Sequence, residues 1–60
     1  MRESQFWQLM RDEFGPGYAP VLADQLVITR FQLTAADALA CGVRPREVWE
    51  AICEQQEVPP

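Results

Sequence analysis

The sequence predicts an all-α fold: one small domain over residues 1–60, built as a bundle of about four short helices. Three observations predict it. Apolar residues recur at helical spacing in four stretches, near 5–14, 18–27, 35–41 and 45–56. Gly15-Pro16-Gly17, and Gly42 with Pro45, punctuate those stretches where helices stop and start. The apolar fraction is 48%, which is generous for the length and argues against disorder.

Ser4 is a candidate N-cap for the first helix, which then runs from Gln5 to Phe14. On a helical wheel Phe6, Trp7, Met10 and Phe14 share one face, while Arg11 and Asp12 point elsewhere. Two glycines and a proline follow and stop the helix. The second helix spans Tyr18 to about Val27, with Pro20 tolerated in its first turn. Tyr18, Leu22 and Leu26 stack along one of its faces, with Val21 beside them. Leu26-Val27-Ile28-Thr29 also has strand composition. No partner strand stands out, so this stretch is expected to run from the helix end into a loop, with no sheet.

Thr34-Ala35-Ala36-Asp37 matches the start signal in which a threonine hydroxyl accepts the N–H three residues on and the acid reaches back. The helix it opens is short and mostly alanine, so a neighbour can approach closely. Gly42 ends it and Pro45 starts the next. Two short helices joined by a tight turn make the last two elements helix-turn-helix-like. On the fourth helix Val48, Trp49, Ile52 and Cys53 lie on one side, with Trp49 as the expected core anchor. Glu47, Glu50, Glu54 and Glu57 lie on the other, and Val58-Pro59-Pro60 ends the chain.

Charge narrows the partners. Five arginines against nine acids give −4. An acidic domain repels phosphate backbones and gains nothing from counterion release, so nucleic acid and anionic membrane are disfavoured. No apolar run reaches membrane-spanning length, and a cytoplasmic location is expected. Four outward glutamates on a recognition helix would be a poor design for a phosphate-lined groove.

Chemistry narrows them further. The chain has no histidine and no lysine. It therefore lacks the commonest general bases, the Schiff-base amine and the usual zinc partners of cysteine. Cys41 and Cys53 cannot close a metal site alone and are expected to be small buried hydrophobes. No enzyme activity, metal or cofactor is expected.

The chain resembles a group of short actinobacterial proteins, the domain of unknown function 3046 family. The likeness rests at the front on Met1-Arg2-Glu3-Ser4, Phe6-Trp7, Met10, Phe14-Gly15 and Tyr18-Ala19. At the back it rests on Thr34-Ala35, Ala38-Leu39, Gly42-Val43, Pro45, Val48-Trp49, Ala51, Cys53 and Val58-Pro59. The family pattern has a Gly-Arg-Thr lead-in where this chain has Gln32-Leu33-Thr34, and a short polar or acidic residue where it has Arg44. The second departure weakens the cap of the fourth helix. The resemblance implies a cytosolic bacterial protein, often encoded near recombination and repair genes, and brings no catalytic residue with it.

The expected function is a protein–protein interaction module or adaptor, with an unknown protein or a second copy of the chain as partner. The alternative is a helix-turn-helix-like accessory associated with DNA or DNA-repair machinery, and a third reading is a thiol redox sensor. The candidate contact residues are Trp7, Leu9 and Met10 on the aromatic first helix, and Glu47, Glu50 and Glu54 on the acidic stripe. Aromatic faces are most often core, and acidic stripes most often solvated. The first helix carries more large groups than a domain of this size readily buries, and a surplus left outside marks a contact. Leu9, about 60° from Phe6 on the side away from Trp7, is the expected outward residue.

Overall fold

The computed structural model describes residues 1–58; Pro59 and Pro60, expected to end the chain outside any helix, lie outside the described residues. The order is α1 (Glu3–Phe14), α2 (Ala19–Gln25), β1 (Val27–Ile28), β2 (Leu33–Thr34), α3 (Ala35–Ala40) and α4 (Pro45–Gln56). The fold is mostly α, with its four helices where the apolar periodicity puts them.

α1 starts two residues before the expected position. Ser4 is not its cap; Arg2 flanks the helix, and the Gln5 side chain accepts the Arg2 N–H at 2.8 Å. That bond satisfies a backbone donor at the helix start, and Glu3 in the first turn suits the positive end of the dipole. Gly15 closes the helix at φ 91°, a conformation that favours glycine. α2 then carries Pro20 in its first turn as expected.

The expectation of no sheet is corrected by a small one. α2 ends at Gln25, and Val27 and Ile28 pair antiparallel with Thr34 and Leu33. β-branched Val27 and Ile28 favour extended backbone, and the partner strand is only two residues long, too short to announce itself. The connecting turn is closed by Phe31 and Gln32, whose N–H groups both donate to Ile28 O at 3.1 and 2.7 Å. Gln32 sits at φ 57°, in the left-handed region. Glycine adopts that conformation without a Cβ clash, so residue 32 carries a cost that a glycine there would not.

Thr34 leaves β2 and caps α3, its hydroxyl accepting the Asp37 N–H at 3.2 Å. At the other end Gly42 N–H donates to Leu39 O and Val43 N–H to Ala38 O, a paired closure that Gly42 permits at φ 94°. Pro45 opens α4 at once. Arg44 flanks that helix without a side-chain cap, since a guanidinium has no acceptor to offer.

The core lies between α1 and α4 and is closed by α2, α3 and Ile28. Phe6, Met10, Ile28, Val48 and Ile52 are its largest fully buried side chains. Trp49 is buried as expected, and its aromatic neighbours come from α1. Its ring meets Phe6 at 6.5 Å and Phe14 at 6.4 Å, both edge-to-face, a favoured geometry for aromatic pairs. α2 turns out differently from expectation. Ala19, Leu22 and Ala23 face the core, while Tyr18 and Val21, expected beside Leu22, are about half exposed.

Candidate protein-contact surface

The expected contact residues divide three ways. Met10 is wholly buried and cannot touch a partner. It lies a helical turn from Phe6, on the side of α1 that α4 covers. Trp7 is half-buried, its ring edge-to-face with Phe6 at 5.1 Å. Leu9 is also half-buried and packs on the core cluster, so the expected outward residue of α1 is largely inside. It borders a shallow concavity with Met1, Gln5 and Gln8.

Glu47, Glu50 and Glu54 are exposed, as the helical spacing requires. Two of them are paired. Arg46 Nε meets Glu50 Oε1 at 3.0 Å along the helix, and an Arg30 guanidinium nitrogen meets Glu54 Oε2 at 2.9 Å across to the turn. Exposed pairs add little stability, but they neutralise part of the stripe. Glu47 forms no ion pair among the described residues.

Beside Glu54 lies a contact that sequence reasoning missed. The Gln55 side chain accepts the Thr29 N–H at 2.9 Å and donates from Nε2 to Val27 O at 3.1 Å. The pleat alternation points both backbone groups away from Ile28 O, onto the free edge of β1. One amide thus covers a strand edge that would otherwise be open. With Arg30–Glu54 it clasps the hairpin to α4.

The cysteines differ. Cys53 is buried, and burial pushes its thiol above the ordinary range, with the carboxylates of Glu13 and Glu50 pushing the same way. Cys41 is exposed at the end of α3, against the expectation that both are buried. The compact closure at Gly42 leaves its side chain outside. Both thiols are free. Among the described residues no three side chains of the metal-binding kind converge, and no helix is long and apolar enough to cross a membrane.

Three of the exposed large apolar side chains lie in α2 or in the residues that flank it. Tyr18 (54%), Val21 (51%) and Val27 (54%) are exposed, and Leu26 is half-buried next to them. Tyr18, Val21, Leu22, Gln25 and Leu26 line a shallow groove whose far wall is Gln56 at the end of α4. The signal was in the sequence. Ala19, Leu22, Ala23 and Leu26 form an unbroken i, i+3, i+4, i+7 pattern, which marks a core face even when two of its members are alanine.

Comparison with curated proteins and with solved structures found no match for this chain. The family model described as "Protein of unknown function (DUF3046)" matches residues 1–60, the whole length. The chain thus belongs to the DUF3046 family.

Proposed function

We propose that this chain is a non-catalytic protein-interaction module of the cytoplasm, and that its contact surface is the apolar strip of α2. One observation carries the reading. Of the four large apolar side chains left exposed among the described residues, two, Tyr18 and Val21, line one groove together with Leu22 and Leu26. A domain this small has a marginal core, so apolar groups gathered outside it suit a contact surface. The strip is also nearly free of charge, as interface centres are. Two free thiols, one exposed, suit a reducing compartment, and a chain without histidine or lysine suits a role without catalysis.

The alternative, an accessory associated with DNA or its repair machinery, has the tight α3–α4 connection in its favour. The exposed Glu47, Glu50 and Glu54 on α4 weigh against it.

The test is capture from a lysate of the source organism by the parent chain and by Val21→Asp, read by mass spectrometry. Val21 is exposed, so the variant is expected to keep its helical circular dichroism and lose the captured protein. A variant that folds and captures the same proteins overturns the reading. A low-salt mobility shift that vanishes with added salt would favour the DNA alternative.

A further inference from the structure

Three properties of the α2 strip bear on what it can hold, and the inference from them rests on the strip being a protein-contact surface.

The first is size. α2 has seven residues and is therefore about 10 Å long. A stable dimer of globular faces needs about 800 Å² from each partner, roughly a fifth of the 3979 Å² this chain exposes. A groove between one short helix and the end of α4 cannot supply that. It matches one or two turns of a single partner segment.

The second is charge. From Gly15 to Thr29 the single charged residue is Asp24. It stands one turn from Val21 on the exposed side of α2, so it flanks the strip. Glu57, which closes α4, is the chain neighbour of Gln56, the groove's far wall. Both acids are exposed, and neither forms an ion pair among the described residues. Glu50 and Glu54 on α4 each have an arginine; the acids at the strip do not.

The third is self-repulsion. A second copy would bring the same acidic rim and another net −4 to the interface. Like charges brought together across an interface oppose association.

We infer that the α2 strip seats one short amphipathic segment of a partner protein, apolar on its docking side and carrying lysine or arginine at its flanks. Val21 and Tyr18 anchor the apolar side, and Asp24 and Glu57 receive the cations. The apolar contact supplies the affinity, and the acidic rim selects the sign of the partner.

The experiment is an amide chemical-shift titration of the full chain with two peptides of about twelve residues, sharing one leucine face at helical spacing. One peptide has lysine flanks and the other glutamate flanks. The lysine peptide is expected to shift the amides around Tyr18, Val21 and Leu26, and the glutamate peptide to leave them unmoved. Asp24→Asn is expected to weaken the lysine peptide about two- to five-fold, as one exposed charge pair would. Val21→Ser is expected to weaken it with the helical spectrum unchanged, which separates lost contact from lost fold.

Equal binding of both peptides at the strip overturns the charge selection and leaves the interaction reading standing. Shifts centred on Glu47 and Glu50 overturn the strip as the site. Binding of neither peptide also overturns the inference, and the interaction reading then stands or falls on the Val21→Asp capture. A dimer in sedimentation that Val21→Asp converts to monomer overturns it in favour of a second copy.

Discussion

α1 and α2 carry large apolar residues at the same helical spacing, and the two helices meet opposite fates. On α1, Phe6 and Met10 are fully buried, and Phe14 packs edge-on against Trp49. At α2, Tyr18 and Val21 are exposed, and Ala19, Leu22 and Ala23 take the core positions. The difference lies in what covers each helix. α1 packs on the twelve-residue α4, whose buried Val48, Trp49 and Ile52 are large enough to fill the space between two helices. α2 packs on α1 and on α3, whose buried face is Ala35 and Ala38. Ala19, Ala23, Ala35 and Ala38 let the backbones approach closely, and Leu22 is the one large side chain that α2 buries. Counting hydrophobics therefore does not orient a helix; the size of the facing surface does.

The largest test of this comparison is at the α1–α4 seam. Trp49→Ala removes the ring that Phe6 and Phe14 meet edge-on. The expected cost is about 3–5 kcal/mol, which rivals the whole stability of a core this size. Thermal circular dichroism should show a chain largely unfolded at room temperature. A melt within a few degrees of the parent would mean that the seam does not hold the fold together.

Two valines give a smaller and sharper test, because the side chain is the same at both sites. Val48 is fully buried on α4 and Val21 is 51% exposed on α2. Val48→Ala should cost about 1.5–3 kcal/mol, and Val21→Ala should stay within about 0.5 kcal/mol of the parent. Urea unfolding measures both on one scale. Equal losses would place Val21 in a core and remove the basis for a contact strip on α2.

Local signals were legible and distant ones were not. Pro45 to Gln56 came out with its expected bounds because a proline starts the helix and the apolar and acidic residues separate cleanly around it. Thr34 capped α3 as its spacing from Asp37 required. The facing of α2 differs from expectation because bulk favours Tyr18 and Val21, whereas the small residues Ala19 and Ala23 hold the core side. The hairpin escaped because each strand has two residues and the pairing is set by a turn at Gln32. Of the candidate contact residues, the exposure of the three glutamates followed from helical geometry. The Arg46–Glu50 pair was also available from its i, i+4 spacing. The Arg30–Glu54 pair and the Gln55 clasp were not, since they join residues 24 to 28 positions apart.

The smallest expected effect is at the turn that carries the chain from α2 to α3. Gln32 holds φ 57° there, its N–H bonded to Ile28 O at 2.7 Å. The left-handed conformation costs a residue with a Cβ about 1–2 kcal/mol, and glycine escapes that cost but loses about 0.5–1 kcal/mol more chain entropy on folding. The balance favours Gln32→Gly by about 0.5–1 kcal/mol, or a few degrees in Tm. No side-chain hydrogen bond of Gln32 is lost among the described residues to offset this gain. The same substitution should leave the α2 strip and its peptide binding unchanged, because the turn lies beyond the hairpin from Tyr18 and Val21. A fall in Tm would show that the turn does not hold residue 32 at positive φ, and the β1–β2 register would then need revision. A rise in Tm accompanied by lost peptide binding would tie the strip to the hairpin, and α2 could no longer be treated as a separate region of the molecule.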